Sequence, residues 1–144
     1  MVRSKPLIIY SMVEIVNAEQ VLENNAEDQM MNQKVIFLTG DEQNAFFMVE
    51  LKKGRTLPAH YHKEKIEIYY ILKGKAKMLT AQFENGKIMD HCVQNVETGD
   101  TFSIEPYIVH QITNTGTGVL QILASAPKSH SQGDRHFVPF INEE

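Results

Sequence analysis

The stretch from Gly54 to Gly74, GRTLPAHYHKEKIEIYYILKG, carries three side chains able to share one metal ion: His60, His62 and Glu67. Imidazole nitrogen and carboxylate oxygen both bind divalent first-row metals. A fourth candidate ligand, His110, stands in a second block, GDTFSIEPYIVHQITN. A single histidine in a strand is ordinarily a core or surface residue with its hydrogen bonds met. Four ligand-type residues in two spaced blocks are much harder to obtain by accident. Three imidazoles and one carboxylate leave about two positions of an octahedron open, and an open position marks a catalytic site more than a structural one. The ion would act as a Lewis acid, activate water, or move electrons if it is iron, manganese or copper. The expected cofactor is one divalent transition metal: this ligand set admits Fe, Mn, Ni, Cu or Zn, and affinity order alone does not choose among them.

These side chains need particular elements to bring them together. Two histidines one residue apart point the same way only in an extended strand. Glu67 then opens the next strand, and His110 lies on a distant one. Strand parity places Glu67, Tyr69 and Ile71 inward, with Ile68, Tyr70 and Leu72 on the other side. Ile112 and Asn114 share the face of His110. One strand earlier, the all-apolar set Phe47, Val49 and Leu51 is expected inside, rather than Phe46, Met48 and Glu50. A pocket lined by Tyr69, Ile71 and Ile112 beside a metal suits a small organic molecule. Tyr69 is the candidate catalytic residue, as hydrogen-bond donor or acid; with equal weight it is a large core side chain. Asn114 reads as a strand-end structural residue. Lys63, Glu64 and Lys65 form a mixed-charge run, read as a solvated loop rather than a device for steering anions.

Along the chain, short apolar runs in residues 7–16 predict an edge strand. Asn17 offers a helix cap with Gln20 three residues on, and Ala18, Val21, Leu22 and Ala26 predict a short helix over 18–30. From Lys34 the texture is that of strands: KVIFLTG and AFFMVELK are joined by the turn residues Gly40, Asp41 and Asn44. IEIYYIL stops at Gly74, a turn position costly for other residues. Asn85-Gly86 between KAKMLTAQF and KIMDHCV is a strong hairpin signal of type I′. About eight to ten short strands with frequent turns predict a closed or two-sheet antiparallel fold. In the polar, then aromatic tail from Pro127 lie His130, Asp134, Arg135 and His136. One reading makes it a flap lending Arg135 or His136 to substrate. The preferred reading is an arm that packs Phe137, Val138 and Phe140 on the outside of the barrel or on a second subunit.

The two blocks resemble the paired motifs of the cupin superfamily. Five residues separate Gly54 from His60, four separate His62 from Glu67, and six separate Glu67 from Gly74, as in the first motif. Gly99, His110 and Asn114 keep the spacing of the second motif. There Pro106 stands one place late, and Ile108 occupies the neighbourhood where a glycine is usual. The resemblance covers residues 34–126. It implies an all-β, cupin-type jelly-roll β-barrel with a short N-terminal helix. Residues 1–33 then form a strand and helix arm, 34–126 the barrel, and 127–144 a packing tail. It also implies a homodimer, with the N-terminal segment as a docking or exchanged arm.

Composition narrows the partners. A chain of 144 residues is the size of one domain. A formal charge of -4 with no basic run argues against nucleic acid, and no stretch is apolar enough to span a bilayer. No helix-turn-helix pattern accompanies the barrel, unlike cupins fused to transcription regulators. The start of the chain lacks a small-residue cleavage site, so no signal peptide is expected. A single cysteine, Cys92, fits a reducing cytoplasm; its neighbour His91 faces the other way along a strand, so a structural role is preferred.

The leading expectation is a metal-dependent cupin enzyme, a dioxygenase or other oxygenase or an isomerase, acting on a small organic molecule with His60, His62, Glu67 and His110 as metal ligands. The alternatives are a non-catalytic module that binds a small molecule or sugar, and a metal-free epimerase or ketoisomerase of nucleotide sugars using His60 and His62 as acid and base. The last leaves Glu67 and His110 at ligand spacing unexplained.

Overall fold

The computed structural model describes residues 12–139 and 141. The described residues form one short α-helix, α1 (Ala18–Asn24), and ten strands. The strands are β1 (Lys34–Gly40), β2 (Ala45–Leu51), β3 (Thr56–Tyr61), β4 (Glu67–Lys73), β5 (Lys75–Glu84), β6 (Lys87–Glu97), β7 (Thr101–Ile104), β8 (Ile108–Asn114), β9 (Leu120–Ala126) and β10 (His136–Phe137). They pair antiparallel into two five-stranded sheets, ordered β1-β2-β9-β4-β7 and β10-β3-β8-β5-β6. Consecutive strands repeatedly cross from one sheet to the other, as in a jelly roll, and the apolar inner faces meet between them. The core there includes Phe47, Val49, Leu51, Leu57, Ile71, Ile112, Leu120 and Ile122. No described helix is long and apolar enough to cross a membrane.

Local chemistry accounts for several joints. The β5–β6 hairpin turns at Asn85 and Gly86, both with positive φ, as a type I′ turn requires. Gly74, between β4 and β5, sits at φ +106°, and a Cβ there would lie 3.0 Å from the Val119 carbonyl oxygen. Asn114 is buried and donates to the Leu51 and Gly118 carbonyls while accepting from the Gly116 amide. It ties the end of β8 to β2, the structural role its position implies.

Strand parity holds. Glu67, Tyr69 and Ile71 are buried, while Ile68, Tyr70 and Leu72 are exposed on the opposite face. In β2, Phe47, Val49 and Leu51 enter the main core. Met48 is buried too, but on the outer face, where α1 covers it with Leu22 against Ile36.

The N-terminal region departs from expectation in two places. Residues 1–11 lie outside the described segment, and residues 12–16 form no strand. The helix is shorter than the 18–30 span: the Asn17 side chain caps it as expected, but it ends at Asn24. Asn24-Asn25 has weak helical preference. Beyond it, the Asp28 carboxylate accepts from the Met30 and Met31 amides and commits the backbone to a turn.

Candidate metal centre

Three strands supply the site. β3 carries His60, with His62 just past its end; β4 opens with Glu67; β8 carries His110. β3 and β8 are direct neighbours, with His60 registered opposite His110. Glu67 reaches across from the facing sheet. The four candidate ligand atoms all lie within 4.8 Å of one another, and all four residues are buried. The expected ligand set is thus brought together in full. Ring centroids are 5.0 Å apart for His60 and His62, and 4.2 Å for His60 and His110.

Backbone carbonyls orient the three rings. His60 Nδ1 is 2.7 Å from the Pro58 carbonyl oxygen, and His110 Nδ1 is 3.1 Å from that of Ile108. His62 Nδ1 meets the Asp134 carbonyl. A carbonyl only accepts, so each Nδ1 carries the proton and each neutral ring offers an Nε2 lone pair. Outer partners fix metal-bound histidines in this way.

The inward atoms fit a cation. His62 Nε2 lies 2.8 Å from Glu67 Oε2, and His110 Nε2 lies 3.7 Å from Glu67 Oε1. Neither Nε2 has an aligned hydrogen-bond partner, although both are buried. Lone pairs facing a carboxylate in a dry interior repel unless a positive charge stands between them. Burial and the neighbouring imidazoles hold the His60 pKa well below the usual histidine value, which keeps that ring neutral. Burial alone would raise the Glu67 pKa; the surrounding His110, His130 and His62 rings outweigh it and hold the carboxyl well below the usual range. The cluster could therefore hold a metal ion.

Tyr69 is fully buried on the same face as Glu67, its ring 6.2 Å from that of His110. Burial, then the charge and hydrogen-bonding of Glu67, push its pKa well above the usual phenol value, so it keeps its proton. The cavity beside the cluster has a volume of about 30 Å³. Its walls include Phe47, Val49, Leu57, Tyr69, Ala124 and Arg135. Ile71 and Ile112, expected to line it, are not among its walls, although they belong to the same core cluster.

The tail enters the site through His130, to which the sequence reading gave no role. A 3-10 turn (Lys128–Ser131) places buried His130 with Nδ1 3.1 Å from Glu67 Oε2 and Nε2 against the Glu64 carbonyl. Its ring stacks on His62 at 3.9 Å and 3°. Burial would lower its pKa, but the Glu67 and Glu64 contacts outweigh that and raise it. Arg135, named beforehand, reaches the cavity wall and pairs there with Asp28, Nη1 to Oδ2 at 3.1 Å. His136 points elsewhere and stacks on Tyr61. β10 joins β3 through His136–Tyr61 and Phe137–His60, and Val138 packs on the outer face of that sheet. Phe137 stays exposed beside the His60 ring, and Phe140 lies outside the described residues. No short motif marks His130. Its relation to Glu67 spans 63 residues and exists only after folding.

In the turn before His110 no glycine takes the left-handed position. The left-handed conformation falls on Tyr107, at φ +68°. Its amide donates to the His62 carbonyl at 2.7 Å, which joins this turn to the ligand loop.

Comparison with known proteins gives the same architecture. A search of curated proteins gave no match. An oxalate oxidase structure aligns with TM-score 0.57 and 23% identity over 67% of this chain and 47% of that one, so this chain spans less than half its length. An uncharacterized conserved protein with a double-stranded beta-helix domain from Klebsiella pneumoniae aligns with TM-score 0.63 and 13% identity, over 88% and 97% of the two chains. The cupin domain of Schizosaccharomyces pombe Cnp3 aligns with TM-score 0.57 and 18% identity, over 70% and 69%. At such identities the likeness is one of fold. The family model for the cupin domain matches residues 47–125, more than half of the sequence. With both sheets and the spacing of the two motif blocks in agreement, the chain belongs to the cupin domain family.

Proposed function

We propose that this protein is a metal-dependent cupin enzyme acting on a small organic molecule by oxygenase- or isomerase-type chemistry. His60, His62, Glu67 and His110 would hold one divalent transition metal. The observation that carries this reading is the set of carbonyl-oriented rings aimed with Glu67 at one point, with two Nε2 atoms left unpartnered. When bound, the ion would supply Lewis acidity or electron transfer with coordination positions open to substrate. The test is elemental analysis of protein purified without added metal. Near-stoichiometric iron, manganese, nickel, copper or zinc is expected; metal-free protein would overturn the reading.

The chain's own residues would supply the rest. The apolar walls exclude water, which strengthens every charge interaction inside. Glu67 is held ionised and Tyr69 held protonated on adjacent inward positions of β4. A proton donor beside an anionic ligand is suited to protonating or anchoring a substrate oxygen. Tyr69→Phe should leave metal content unchanged and lower turnover about 100-fold. Dioxygen uptake and product formation over a panel of small organic substrates would check this, and unchanged rates would remove Tyr69 from the chemistry. An oxalate oxidase and an oxalate decarboxylase are among the structures of similar fold, which supports small-molecule chemistry without choosing the reaction.

The same reading includes a homodimer. An exposed apolar row of Ile68, Tyr70 and Leu72 on β4, with Phe46 on β2, supports association through the outer face of that sheet. Light scattering should give twice the chain mass, and Tyr70→Glu should shift it towards monomer. A monomer for the parent protein would rule the dimer out.

A further inference from the structure

We infer that the C-terminal segment 128–137 is a working part of the metal centre, with His130 and Asp134 as positioning residues for Glu67 and His62. This role presupposes the metal site proposed above. The segment lies beyond residues 47–125, so the family match does not include it. Five hydrogen bonds join it to residues 62–67. His130 Nδ1 reaches Glu67 Oε2 at 3.1 Å. His130 Nε2 is bound to the Glu64 carbonyl, which anchors the ring from behind. The Asp134 carbonyl accepts from His62 Nδ1, and the Asp134 carboxylate accepts from the amides of Lys63 at 2.8 Å and Glu64 at 3.0 Å.

The geometry separates positioning from space-filling. A packing role needs only an aromatic ring against His62. A positioning role needs a donor to Glu67, so that Oε2, which also lies 2.8 Å from His62 Nε2, is fixed in the cluster while Oε1 faces His110. Asp134 does the same for His62: its backbone sets the ring, and its side chain sets the loop that carries the ring. Outer partners of metal ligands typically change metal affinity about 10–100-fold when lost.

Cobalt(II) added to the chelator-stripped full chain is a suitable probe, with affinity read by chelator competition and coordination geometry by visible absorption. His130→Phe keeps a ring on His62 and removes both donors. It should weaken cobalt binding about 10–100-fold and change the spectrum. His130→Gln loses the ring but keeps a donor, and should bind nearer to the parent. The reverse order would show a packing role only and overturn the proposal. If parent and His130→Phe bind equally with one spectrum, positioning by His130 is overturned while the metal site stands. If the parent itself binds no cobalt, the metal reading fails first. Should His130→Phe not fold, Asp134→Ala on the part-exposed loop decides: about tenfold weaker binding is expected, and unchanged affinity overturns the proposal.

Discussion

Replacing His60 or His110 with alanine should strip the protein of most of its metal, weakening affinity by more than about 100-fold, because even outer partners of metal ligands contribute 10–100-fold. Each ring supplies one of only four donors gathered within 4.8 Å. No other described cluster of histidine, cysteine or carboxylate side chains could take its place. The barrel should survive the change. Truncating a buried ring leaves a cavity, a cost of about 3 kcal/mol. That cost is partly offset in the metal-free protein, because the His110 variant also loses an unpartnered buried nitrogen. Metal content by mass spectrometry, with circular dichroism of the same samples, tests this. Full metal occupancy in both variants would refute the ligand assignment.

Stripping the parent protein of metal should lower its thermal midpoint by about 10 °C. A ligand present at about a thousand times its dissociation constant stabilises the folded state by about 4 kcal/mol. In a chain of this size each kcal/mol moves the midpoint by about 2–4 °C. The direction follows from the site itself. Without a cation, the lone pairs of His62 and His110 face the ionised Glu67 carboxylate in a water-poor interior. An ion placed between them removes that repulsion in the folded state only, since the unfolded chain disperses the four groups. Scanning calorimetry with and without chelator, followed by metal add-back, measures the shift. Identical midpoints would show that no ion binds tightly enough to matter.

The legible parts of this protein are those in which one short stretch of chain determines its own geometry. His60 and His62 share a face because a strand repeats every two residues, and the same parity buries Glu67, Tyr69 and Ile71 while exposing Ile68, Tyr70 and Leu72. Asn85-Gly86 dictates its turn through its own backbone preferences. The helix after Asn17 is legible at its start, where one side chain caps one amide. It is not legible at its end, where Asp28 diverts the chain. Short helices draw most of their stability from tertiary packing, here Leu22 on Ile36 and Met48, so their length is not a local property.

The sequence by itself determined the strand-borne donors, the two-sheet character and the four candidate ligands, since strand alternation and motif spacing act over a few residues. Tertiary structure alone decided which atoms face the ion and what holds them. The tautomers depend on the carbonyls of Pro58, Ile108 and Asp134, the last of them 72 residues from the ring it orients. His130 and Arg135 reach the cavity because the tail doubles back to add β10 beside β3, and Ile71 and Ile112 are not among its walls. A hydrogen bond between distant segments forms only when the whole barrel holds both partners in place, and no local preference encodes that meeting.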